Sequence, residues 1–411
     1  MFRTIRSLTE LGLGAGTAVM LIACSFGSPI GLDTPGDLYE ILNTAPYAQP
    51  YDSDRWTAFN DERLRVDHGY SCIAADRAAS KRVLGVRVME QAPIPENYDA
   101  TVFMNGWNAD YQSKDHHVMG LGGVIFNVRN IDGQLFWDAG GVLSDRKGDD
   151  AYEWCYNYDI VYWPTNSTQF DIRATHSDPS GKLLFVEGEI QDSFAVHTIR
   201  GTFTSPNQKV PRAALPAGMA MAYDHGDHHV AQLGFVLGDQ SISGKTLSWE
   251  STAILKDKAR RRRYQSAAAV SILSGRNIKV TKPAQVGVLS NDVYLPQPNG
   301  IDLEPRATAS CGNVQLGGPL TVVRNYAITG LTSHYAIPML TGFELSYSCS
   351  DQHVKYVGAK LKDWTYQPPV DGQTGTLYYQ VETMLTDKDK IPGMNDQVEV
   401  SVLGINRLGQ G

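Results

Sequence analysis

The sequence predicts an all-β protein: a tandem array of three similar antiparallel β-sandwich-like units behind a signal peptide and a flexible tether. Three observations carry this expectation. A box of about thirty residues occurs three times with its spacing kept, which marks one supersecondary unit used repeatedly. Short alternating apolar runs, such as Lys182-Leu183-Leu184-Phe185-Val186 and Val398-Glu399-Val400-Ser401-Val402, are separated by Gly, Pro, Asn and Asp clusters, the pattern of strands and turns. No segment sustains a 3.6-residue period for long, and 411 residues suffice for three domains of ordinary size.

Residues 1–23 read as the signal peptide, because Arg3 and Arg6 lead into a Gly- and Ala-rich apolar stretch from Leu11 to Ala23. That stretch is too short to span a bilayer comfortably as a permanent helix. It ends in Leu21-Ile22-Ala23-Cys24, which resembles the lipobox of bacterial lipoproteins. The resemblance covers this segment alone; it implies cleavage before Cys24 and a lipid on Cys24, with plain secretion as the alternative. Downstream there is no second long apolar run, so lipid alone would hold the body to a membrane, and stable attachment needs several acyl chains. Residues 24–60, rich in Gly, Pro, Ser and Thr, form the expected tether. The three β units then occupy residues 61–163, 164–275 and 276–411.

The first box runs Asp115-His116-His117-Val118, Leu121-Gly122, Trp137, Leu143 and Asp145. The second repeats it as Asp227-His228-His229-Val230, Leu233-Gly234, Trp249, Leu255 and Asp257. The third runs Asp351-Gln352-His353-Val354, Val357-Gly358, Tyr379, Leu385 and Asp387, with an insertion holding Pro368 and Pro369. Strand parity places the apolar positions, the histidine and the final aspartate of each box on one face. An antiparallel pairing with Ile125 opposite Trp137 sets His117 opposite Asp145, and the same register pairs His229 with Asp257 and His353 with Asp387. The preferred reading is therefore structural, an imidazole–carboxylate clasp in each unit that satisfies two buried polar groups and fixes register. A metal site using Asp115, His117 and Asp145 competes less well, since only one histidine recurs per box, and no metal or other cofactor is assigned.

Five cysteines become four if Cys24 is lipidated, and an oxidising compartment would pair them. Cys311 with Cys349 and Cys72 with Cys155 is the favoured arrangement of three. Tyr152, Trp154, Tyr156 and Tyr158 fall on alternate positions of one run, so a strand there presents a row of rings on one face. That row is either core or a carbohydrate-stacking platform, and it supplies the candidate ligand aromatics.

A net charge of -8 disfavours nucleic acid as a partner, and the basic run Arg260 to Arg263 reads as a solvated loop. Catalytic signatures are missing: no Gly-x-Ser-x-Gly, Walker loop, dinucleotide fingerprint or His-Glu-x-x-His occurs. The expected role is non-catalytic, a cell-surface binding or adhesion module with a glycan or another envelope component as ligand. A surface polysaccharide hydrolase and a structural assembly subunit are the alternatives.

Overall fold

The first repeat supplies β1 (Pro50–Asn60), β2 (Arg65–Ala75), β3 (Val86–Pro93), β4 (Tyr98–Tyr111), β5 (Gly120–Ile131), β6 (Gln134–Ser144) and β7 (Tyr152–Pro164). The second supplies β8 (Ile172–Thr175), β9 (Phe185–Glu187), β10 (His197–Thr204), β11 (Pro211–Tyr223), β12 (Gln232–Ser243), β13 (Thr246–Lys256) and β14 (Tyr264–Gly275). The third supplies β15 (Ile278–Thr281), β16 (Gly287–Val288), β17 (Val322–Leu331), β18 (Tyr335–Tyr347), β19 (Tyr356–Gln367), β20 (Gly375–Thr386) and β21 (Met394–Ile405). The computed structural model describes residues 42–61, 63–75, 85–112, 116–145, 150–176, 185–187, 196–206, 209–223, 226–257, 264–281, 287–288, 321–347, 353–387 and 394–408. Apart from one helical turn at residues 42–44, the regular structure of these residues is strand and turn.

Period-two sequence produces half-buried strands, and β10 alternates buried and more exposed residues along its whole length. Central strands are different. In β7 and β14 nearly every residue is buried, as expected where a strand is covered on both faces.

The strands form three antiparallel sheets, ordered β1-β2-β7-β4-β19-β20-β17-β16, β3-β6-β5-β11-β14-β8 and β10-β13-β12-β18-β21-β15. Each sheet is built from two repeats. The joins are β4 with β19, β11 with β5 and β18 with β12, so the first repeat pairs with the second, the second with the third, and the third back with the first. This cyclic exchange gives the array pseudo-three-fold symmetry and one continuous core fed by all three sheets.

The joins demand close backbone approach. Gly122 sits at φ 137° where β5 meets β11, and a Cβ there would lie 2.4 Å from the Ala220 Cα. Gly358, its counterpart in the third box, sits at φ 144° with a Cβ position 2.2 Å from the Trp107 carbonyl oxygen. In the first and third boxes only Gly tolerates both the backbone angle and the contact, while at Gly234 of the second the close approach alone, a Cβ position 2.8 Å from the Phe343 carbonyl oxygen, favours glycine.

Two expectations need correction. The chain enters a sheet at Pro50, so residues 50–60 are an edge strand rather than the end of a tether. The two halves of each box do pair antiparallel, but two residues away from the expected register: Ile125 faces Ala139, Leu237 faces Ser251 and Leu361 faces Val381. The recurring apolar positions pair directly instead, as Leu121–Leu143, Leu233–Leu255 and Val357–Leu385. A bulge in the same part of each hairpin, at Phe126/Arg129, Leu237/Gln240 and Leu361/Asp363, absorbs the difference. Register in a hairpin is set by turn and bulge geometry, which parity alone does not locate.

Candidate functional site

Each box begins where the chain leaves one sheet for another, between β4 and β5, β11 and β12, and β18 and β19. The three connections are stitched together by backbone hydrogen bonds. His116 N donates to Val354 O (3.0 Å) and Val354 N to His116 O (2.9 Å), while Val118 N and His228 O, and His228 N and Val118 O, lie at 2.9 Å. The valines of the boxes, Val118, Val230 and Val354, are fully buried and anchor each connection in the core.

Between those anchors, His117, His229 and His353 point at one another across the pseudo-three-fold axis. Their ring centroids are 4.6 Å apart in all three pairs, with planes 67–74° apart. One candidate ligand atom from each histidine lies within 4.8 Å of the other two. The site is partly open, the His117 side chain being 41% exposed. Asp227, which heads the second box, stands 3.8 Å from the His117 Nδ1. Burial holds the His117 imidazole below its ordinary pKa, reinforced by the His229 and His353 imidazoles and opposed by Asp227.

A tyrosine supports the axial backbone. Tyr223 and Tyr347 donate from their hydroxyls to the carbonyls of His229 and His353, at 3.3 and 3.0 Å. Tyr111, buried at the equivalent end of β4, precedes His117 by the same spacing. The repeat therefore begins earlier than Asp115, and aligning the boxes N-terminally on these tyrosines would have revealed it.

The expected clasp is not what joins His117. Its carboxylate neighbour is Asp227 of the second unit, whereas Asp145 lies with His116 and Asp150, one ligand atom from each within 4.8 Å. His116 Nδ1 is 3.0 Å from the Asp150 carboxylate. The register that would set His229 opposite Asp257 and His353 opposite Asp387 is likewise not the one formed. The physical reason is topological: the histidines precede the strands, on segments that turn to the axis before pairing begins at Gly120↔Ser144 and Gln232↔Lys256.

An imidazole–carboxylate pair does tie units together elsewhere. His68 on β2 and Asp159 on β7 are both fully buried, with Nδ1 2.8 Å from Oδ1. The His68 Nε2 lies 3.1 Å from the Lys362 carbonyl, and Trp364 Nε1 donates to Asp159 at 3.1 Å, both from β19 of the third unit. Asn105 completes the carboxylate's shell and accepts from Leu340 N at 2.9 Å. None of these residues recurs in the boxes, so repetition gave no signal for them.

The aromatic row faces the core and is no stacking platform. Tyr152, Trp154, Tyr156 and Tyr158 are all buried, and Trp154 stacks on Tyr156 at 5.0 Å. Trp154 fills a slot left by two glycines, for a Cβ on Gly123 or Gly141 would lie 2.2 or 2.1 Å from its indole. The box aromatics Trp137, Trp249 and Tyr379 are buried as well. Cys72 and Cys155 are disulfide-bonded across β2 and β7. Cys24, Asp115, Arg260 to Arg263, Cys311, Cys349 and Asp351 lie outside the described residues.

A shallow polar cleft opens where the chain leaves β7, lined among others by Asn166, Ser167, Phe170, Asp171, Lys209 and Arg276. Its loop is pinned at both ends, with Thr165 N donating to Asn97 O at 2.8 Å and Leu408 N to Gln169 O at 2.9 Å. Asp171 pairs with Lys209 at 2.6 Å and Arg276 at 3.4 Å, and these cations hold its carboxyl below the usual range against the opposing effect of burial. Comparison with known protein families finds no match, and comparison with curated proteins finds none either.

Proposed function

We propose that the protein is an exported, lipid-anchored surface binding module that acts without catalysis and takes a glycan of the cell envelope as its ligand. The observation that supports this reading is the cleft beside β7. It offers the Asn166 carboxamide and the Ser167 hydroxyl on a loop held by backbone hydrogen bonds at both ends, beside Lys209 and Arg276, which reach the cleft from the ends of β11 and β14 and pair there with Asp171. Convergent polar groups on a pre-organised backbone suit a hydroxyl-rich ligand, because little ordering entropy is lost on binding. With the aromatic row in the core, recognition rests on hydrogen bonding rather than on stacking.

The test is a screen of the full-length protein against purified envelope polysaccharides, followed by Asn166→Ala and Arg276→Ala. Losing a hydrogen bond to a charged group costs about 1.5–3 kcal/mol, so Arg276→Ala should weaken binding by roughly tenfold or more. Unchanged affinity in both variants would remove the cleft from the reading, and no binding to any polysaccharide would remove the glycan. The anchor is tested separately. Cys24→Ser should abolish metabolic lipid labelling and release the protein from membranes, whereas an intact mass showing a mature N-terminus at another residue would refute lipidation.

A further inference from the structure

We propose that His117, His229 and His353 form a binding site for one divalent transition-metal ion of the zinc class, placed on the pseudo-three-fold axis and tying the three units together. Each ligand comes from a different unit. The recurrence of a single histidine per box is a poor basis for a metal site within one unit, but the cyclic strand exchange brings the three copies to one point.

The geometry fits the ion. Zinc binds imidazole nitrogens at about 2.0–2.1 Å, which holds three such nitrogens about 3.3–3.6 Å apart in tetrahedral or trigonal arrangements. The three ligand atoms already lie within 4.8 Å of one another, so ring rotations of about an ångström close the site without moving the backbone. That backbone is fixed by the bridges at His116–Val354 and Val118–His228 and by the hydroxyls of Tyr223 and Tyr347. A nitrogen-only set suits zinc, copper or nickel and not magnesium or calcium, which prefer oxygen.

The carboxylate behind the ring is the second observation. Metal-bound histidines commonly give their other N–H to a carboxylate, which fixes the tautomer and ring orientation. Asp227 stands 3.8 Å from the Nδ1 of His117, so Nε2 is the nitrogen that would take the ion. An aspartate heads the other two boxes as well, Asp115 and Asp351. In the second box the Asp-x-His thus supplies a ligand, His229, together with an acid, Asp227, that stands beside the histidine of the preceding unit. Partial exposure of His117 leaves the fourth position open to water or an exogenous ligand.

The experiment uses the full-length protein, stripped with a chelator and titrated with zinc alone. We expect one ion per chain, a melting temperature that rises with zinc because the ion binds the folded state, and retention of both in His334→Ala. His229→Ala should lose stoichiometric binding, and Asp227→Asn should weaken it by about 10–100-fold. Cobalt in place of zinc should give the intense visible bands of a low-coordinate nitrogen site. Zinc should also protect His117, His229 and His353 in the unmodified chain from histidine acylation, a readout that needs no variant to fold. Zinc binding that is unchanged in a folded His229→Ala, or equal acylation of the three histidines with and without zinc, would overturn the proposal.

Discussion

His176 shows how burial acts on a single side chain. It sits after β8, with Nδ1 2.9 Å from the Ser271 hydroxyl and Nε2 3.2 Å from the Thr101 hydroxyl. Hydroxyls can donate or accept, so the neutral ring is fully satisfied, and desolvation pulls its pKa down to about 4. Above the unfolded value of about 6.5 the ring is neutral in both states and contributes no pH dependence. As the pH falls from there toward 4, the unfolded chain takes up a proton that the folded chain does not, so stability declines. The expected loss between pH 7 and pH 5 is about 2 kcal/mol, measured as a shift in denaturant midpoint. His176→Gln should flatten that profile, and an equal slope in the variant would assign the acid sensitivity to other groups.

At the scale of the element, the box is a hairpin with a glycine where two units cross. The first hairpin turns tightly at Asp132 and Gly133, the longer connection of the third holds a turn at Asp371 and Gly372, all four at positive φ, and each hairpin carries its bulge in the same part. Gly122→Ala adds a methyl that meets the Ala220 Cα and forces an Ala into a backbone angle it rarely adopts. The cost should be about 1–3 kcal/mol, read from chemical denaturation. Gly133→Ala provides the contrast, because its Cβ would meet nothing within 4 Å and only the angle is unfavourable. Equal effects of the two substitutions would show that close approach of the units is not what the box glycine serves.

For the whole molecule, strand exchange means that no repeat completes its own sheets. The second repeat alone would lose β5 from beside β11 and β18 from beside β12, leaving two unpaired strand edges and an opened core. Residues 164–275 expressed alone should therefore lack a cooperative thermal transition, whereas the full chain unfolds as one unit. A folded, monomeric fragment with a sharp transition would show that the repeats are autonomous and the exchange incidental. The buried His68–Asp159 pair adds to this cohesion, since Lys362 and Trp364 of β19 in the third unit are among its partners.

The amino-acid sequence by itself determined the strands, the three-fold repetition and the antiparallel pairing of the box halves, because period-two patterning and turn residues are local. It also marked the Cys72–Cys155 pair and the alternate spacing of Tyr152, Trp154, Tyr156 and Tyr158. Only the tertiary structure decided which face that row presents, because burial depends on what packs opposite, here the slot at Gly123 and Gly141. It also decided the hairpin register through bulges that carry no sequence mark of their own. The axial histidines illustrate the division. Their recurrence is written in the chain, but their partners are one another, and that contact joins residues far apart in sequence through a cyclic exchange of strands that no single repeat encodes.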